Sequence, residues 1–196
     1  MCRNFRFSKG GGPIVCKKIQ ELSCLKAGEL QKQCGLSFKS DSVCDLLKQM
    51  EIDCNCVDFA PLEQQIRVNA DNHILGIAYS NGDKLSILYS QVLSSKSLNY
   101  VLAHELAHCC LHMLPTSKFH VELMTSNDIY SNPFISESEI EKEQEADRFA
   151  VELLIPETQL QSAKSKREKQ KIAKEYNVPI CVLVNYHDYM GVEEND

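Results

Sequence analysis

The sequence predicts an α+β fold, in which a short β-sheet packs on a helix carrying His104-Glu105-Leu106-Ala107-His108 and a second, acid-rich helix follows. Three observations lead there. Two β-rich runs, 74–79 (ILGIAY) and 85–89 (LSILY), flank Asn81-Gly82, a strong hairpin signal. Leu98, Val101, Leu102, Leu106 and Leu111 recur at helical spacing over 97–114, and Pro115 stops that helix. Ala146, Phe149, Ala150, Leu153 and Leu154 give the segment 137–154 an apolar face, which ends at Ile155-Pro156.

The remaining elements follow in chain order. Residues 1–13 read as a leader; its Gly10-Gly11-Gly12 lacks the GK[ST] ending of a phosphate-binding loop. Ile14, Val15, Ile19, Leu22 and Leu25 suggest a helix over 14–34, broken by Gly35 and Ser37. Asp41 or Ser42 caps a short helix reaching Met50, with Val43, Leu46 and Leu47 on its apolar face. Residues 54–59 read as a strand. The polar stretch 116–135 reads as an irregular loop, long enough to suspect a function. A basic helical stretch spans 164–174, and no internal repeat is evident. The expected organisation is an extension over 1–41, a main domain over 42–160 and a C-terminal helical segment over 161–196.

A chain of 196 residues with 43% hydrophobic and 24% charged residues suits one soluble globular domain, with or without an appendage. No apolar run approaches the ~20 residues that span a bilayer. Arg3, Arg6 and Lys9 precede no apolar core of a signal peptide, so the expected location is the cytoplasm. Ten cysteines would fit a disulfide scaffold in a secreted protein. In this chain they are expected to be reduced thiols, mostly small core residues, and the absence of any CxxC pair argues against a zinc ribbon. The net charge of −6 is uneven: residues 1–40 hold eight Lys/Arg against two acids.

His104 and His108 are four apart, so they share one helix face about 6 Å apart along the axis. Both imidazoles can hold one zinc ion, and Glu105 beside them can act as general base. A chance match on a buried helix is the alternative. A catalytic zinc needs a third protein ligand. His112 lies about 12 Å along the helix from His104, too far for all three to converge, and reads as a pocket-rim or packing residue. Glu143 and Asp147 are also four apart: one can bind the metal while the other orients a ligand histidine. Glu145 is the alternative ligand, and simple solvation of an acidic helix is the alternative to any site.

HELAHCCLH, followed by EQEADRFAVELLIP, resembles the ImmA/IrrE family of metallopeptidases, and the likeness covers roughly 42–160. It implies a small zincin-like, gluzincin-type domain with one zinc per chain. His104, His108 and Glu143 would be the ligands, Glu105 the catalytic base and Asp147 the residue that orients a ligand. It further implies an endopeptidase that cleaves a helix-turn-helix repressor of a mobile element or prophage to relieve repression. His112, His120, Tyr130 and His187 are the candidates for stabilising the oxyanion or lining the pocket. The alternative function is a catalytically silent metal-containing module that sequesters a repressor or toxin. Residues 170–190 (with IAKEYNVPICVLV) resemble a helix-turn-helix, but direct nucleic-acid binding is not expected of so acidic a chain.

Overall fold

In the computed structural model, which describes residues 27–34, 42–66, 73–80, 84–113, 120–125 and 136–190, the two β-rich runs pair as antiparallel strands. They are β2 (Ile74–Ser80) and β3 (Leu85–Ser90), in register from Gly76 opposite Tyr89 to Ser80 opposite Leu85. The turn at 81–83 lies outside the described residues. β1 (Asp53–Val57) runs parallel to β3, and β4 (His120–Thr125) runs antiparallel to β2, giving the order β1-β3-β2-β4. β4 corrects the expectation of an irregular loop over 116–135. Its six residues (HVELMT) are too short and too mixed in character for a clear strand pattern.

One residue in β2 sets the geometry of the sheet. The β2–β4 register shifts between Ile74 and Gly76. Such a bulge moves the side chains beyond it by one position. Ile74 and Ile77, three apart, consequently share a face and pack with Phe59, while Ala78 joins the main core with Leu85 and Ile87 of β3.

Three short helices precede β2 in the chain. α1 (Ala27–Cys34) is the described part of the helix expected over 14–34; residues 14–26 lie outside the described set. α2 (Val43–Gln49) starts at Ser42, whose side chain accepts from the Cys44 amide at 3.1 Å, and it buries Val43, Leu46 and Leu47 as expected. The strand read over 54–59 ends at Val57 because the Asp58 carboxylate accepts the Ala60 amide at 3.0 Å and starts α3 (Ala60–Ile66). Glu63 of α3 then accepts the Ile74 amide at 2.8 Å and ties α3 to β2.

α4 (Ser95–Ala107) is capped by Ser94 and buries Tyr100, Val101, Leu102, Ala103, Leu106 and Ala107. A helix covered on all sides is unusual for a surface element. Its polar residues therefore need partners, because an unsatisfied buried polar group is costly. The α-helix does not run on to Leu114 as expected: His108–His112 forms a π turn, and the Met113 amide donates to the His108 carbonyl at 3.0 Å. Such wide turns cluster at functional sites.

α5 (Glu137–Leu154) begins with a reciprocal capping box between Ser136 and Glu139 and ends at Ile155-Pro156. α6 (Glu157–Ser162), α7 (Lys166–Glu175) and α8 (Ile180–Tyr189) are the last described elements. α7 and α8 are joined through Asn177, whose φ of 54° is the left-handed geometry that asparagine tolerates. Ile172, Val182 and Leu183 from these helices enter the same core as Leu102 and Leu106 of α4 and Ala27 and Leu30 of α1. No helix among the described residues is long and apolar enough to cross a membrane.

Candidate metal centre

α4 and α5 pack side by side, and their facing polar residues meet in the buried layer between them. His104 Nε2 stands 3.0 Å from His108 Nε2 and 3.1 Å from Glu143 Oε2, while Glu143 Oε1 is 3.4 Å from His108 Nε2. Among the described residues this trio forms a group of buried donor atoms, all within 4.8 Å of one another, that can hold a metal ion. A tetrahedral ion with bonds of about 2.0–2.1 Å would hold its ligand atoms about 3.3–3.4 Å apart. The Nε2–Nε2 distance, and the approach of one Glu143 oxygen to each histidine, come within a few tenths of an ångström of that. Two imidazoles and one carboxylate also match the donor set of a catalytic site, with a fourth position left for water or substrate.

Around the trio stand residues that orient it. Asp147 Oδ1 is 2.9 Å from His104 Nδ1, and the Tyr100 hydroxyl donates to the same oxygen at 2.6 Å. A carboxylate only accepts, so Nδ1 of His104 carries hydrogen and Nε2 is the atom left for the cluster. His112 stands behind His108, its Nδ1 2.9 Å from His108 Nδ1, and its Nε2 is 3.1 Å from Glu145 Oε2. These contacts bear on two of the candidates. His112 has one ring nitrogen against the outer nitrogen of His108 and the other against Glu145, so it is not placed as an oxyanion donor. Glu145, the alternative ligand, faces outward with a side chain 59% exposed.

Glu105 is completely buried between α4 and β2. A Cβ built on Gly76 would lie 2.5 Å from Glu105 Oε1, 2.8 Å from its Cγ and 2.9 Å from Val101 Cγ1. Gly76 is thus the space that Glu105 occupies, a role that sequence reasoning missed, although a glycine inside a strand run signals a bulge or close approach. Tyr100 was also missed; it sits four residues before His104, the spacing that places two side chains on one helix face. Gly76→Ala is expected to lower stability by about 1–3 kcal/mol through overpacking and to displace Glu105. Chemical denaturation checks the first effect, and wild-type stability in the variant would contradict it.

The other candidates stand elsewhere. His187, on α8, is 2% exposed; its ring nitrogens face the Leu183 carbonyl at 2.8 Å and the Leu160 carbonyl at 3.1 Å. It braces α8 against α6 and does not serve as an oxyanion or pocket residue. His120 opens β4 opposite Ser80. Its side chain, like Tyr130 altogether, lies outside the described residues. The six cysteines whose side chains are described are free thiols. Burial pushes Cys110 up to about 12 and raises Cys109 as well, which makes both poor nucleophiles. Cys56 and Cys181 are exposed, against the expectation of mostly core positions.

The charges in the metal-free trio follow from its contacts. Burial works against a charge on His104, but hydrogen bonds to Asp147 and Glu143 prevail and raise its pKa from 6.5 to about 10. Burial pushes Glu143 upward, yet the two histidines hold it well below the usual carboxylate range. Burial lowers His108, with Glu143 offsetting it only in part. His104, raised on folding, contributes stability in full below 6.5 and loses it as pH climbs through about 10. Glu143, depressed on folding, contributes above 4.5 and loses that contribution as pH falls through its folded value. The stability gap between metal-free wild type and His104→Gln is therefore expected to be widest between pH 4.5 and 6.5 and to narrow towards about 10. Thermal melts across that range check this; a gap independent of pH would refute it.

The family comparison agrees with this geometry. A family model described as the IrrE N-terminal-like domain, of the peptidase M78 group, matches residues 63–185, well over half of the chain. The match takes in both α4 and α5, and with them every member of the trio. No curated protein matches the chain. With its two motif-bearing helices inside that match, the chain belongs to the IrrE-like peptidase M78 family.

Proposed function

We propose that this member of the family is a zinc-dependent endopeptidase acting in the cytoplasm on a helix-turn-helix transcriptional repressor of a mobile element or prophage. The observation that carries the catalytic part is the buried His104, His108 and Glu143 trio, whose donor atoms converge closely enough to hold one ion. When bound, zinc would polarise the scissile carbonyl and bring the pKa of water towards about 7. The chain's own residues do the rest. Asp147 and Tyr100 hold His104 with Nε2 towards the trio. Glu105, next to His104 and seated against Gly76, takes the proton of the attacking water on its carboxylate and delivers it to the leaving amine. β4 lies at one edge of the sheet, and an extended substrate segment can add to such an edge by main-chain hydrogen bonds.

The substrate class rests on the resemblance in the two motifs. Direct DNA reading is not part of the proposal: α8, in the position of a recognition helix, contains no Lys or Arg, and its one charged side chain type is the acid Asp188. The test incubates the zinc-loaded chain with helix-turn-helix repressors from the same genome and follows cleavage by mass spectrometry. A cut that a chelator stops and added zinc restores is the expected result. Capture of the repressor without any cut would favour the sequestering module.

A further inference from the structure

We propose that His112 and Glu145 are positioning residues for His108, together forming a carboxylate–histidine chain that fixes which nitrogen His108 presents to the trio. The inference rests on the metal-site reading above and extends it to the second histidine. The polarity of the chain is set at its outer end. The Glu145 carboxylate can only accept, so the nitrogen facing it at 3.1 Å, His112 Nε2, is the donor. A neutral imidazole has one N–H, which leaves His112 Nδ1 as an acceptor. His108 Nδ1, 2.9 Å away, is then the donor across that contact. The lone pair of His108 accordingly sits on Nε2, the atom 3.0 Å from His104 Nε2.

Two further features fit this role. The chain runs from buried to open: the side chains of His108, His112 and Glu145 are 2%, 6% and 59% exposed. The π turn falls on His108–His112 itself, so the one irregular turn of this helix lies between the two linked imidazoles. The arrangement also matches the one on the other histidine, where Asp147 fixes His104 through its Nδ1. Each proposed ligand histidine thus has its outer nitrogen held, His104 directly by a carboxylate and His108 through a second imidazole.

The experiment measures zinc affinity by competition with a chromophoric chelator for wild type, His112→Leu, His112→Gln and Glu145→Ala. Loss of such a partner typically weakens metal affinity about 10–100-fold, and His112→Leu is expected to fall in that range. His112→Gln, whose amide oxygen can accept from His108 Nδ1, is expected to recover most of the loss. Glu145→Ala is expected to lose less than about tenfold, because water can replace an exposed carboxylate. Nitrogen-15 spectra of the zinc-loaded wild type are expected to show His112 bare at Nδ1 and protonated at Nε2. That readout needs no variant and stands even if His112→Leu does not fold. Affinity within about twofold of wild type in His112→Leu overturns the inference. So does an equal loss in the leucine and glutamine variants, which marks a packing role, or a His112 protonated at Nδ1. A wild type that binds no zinc overturns the metal-site reading itself, and this inference with it.

Discussion

Glu105→Gln is expected to keep its metal and its fold while cleavage falls by about 10²–10⁴-fold, the usual contribution of a general base. Glutamine is nearly isosteric with glutamate, so the space above Gly76 stays filled and Val101 is undisturbed. The trio of His104, His108 and Glu143 is also unchanged, and none of its close contacts runs through Glu105. What changes is the loss of a carboxylate able to take a proton and return it. The measurement is kcat/KM on whichever polypeptide wild type cuts, alongside metal content and melting temperature. A variant that cuts at the wild-type rate would sink the mechanism. The same variant separates catalysis from sequestration, since a module acting by capture would hold its partner equally well with glutamine at 105.

Legibility in this sequence followed the range of the interactions. His104 and His108 are four residues apart in one helix, and that local spacing alone places both on one face. Glu143 and Asp147 were readable in the same way, but three carboxylates on α5 competed for the roles. What separates Glu143 from Glu145 is which side of α5 meets α4, and this is a tertiary fact. The pairing of β2 with β3 was legible because a short connection with Asn-Gly leaves little choice. β4 was not, since its partner β2 lies some forty residues earlier in the chain and no turn joins them. The π turn escaped for a related reason: apolar spacing over 97–114 fits an α-helix equally well, and only the Met113 amide reaching back to His108 distinguishes them. Likewise, the 12 Å estimate that removed His112 as a ligand also concealed its contact with His108, which runs through the back of the ring.

Glu143→Ala is expected to bring metal content from about one ion per chain to near zero, while Glu145→Ala stays close to one. The two glutamates are separated by one residue on the same helix, so composition, helix propensity and net charge change almost equally in both variants. Their surroundings differ. Glu143 is buried and bridges both histidines, at 3.1 Å from His104 and 3.4 Å from His108. Among the described residues, Glu145 makes its polar contact with the outer nitrogen of His112. Removing Glu143 leaves two imidazoles and no carboxylate bridging them, so a cation loses one of its three protein ligands. Plasma mass spectrometry on chains purified without affinity-tag metals reads the outcome directly. Metal retained in Glu143→Ala would mean that the third ligand lies elsewhere in the chain. Metal lost equally from both variants would make acidity of α5, rather than one ligand, the determinant. Loss confined to Glu143→Ala would assign the third ligand to the residue that bridges the two histidines.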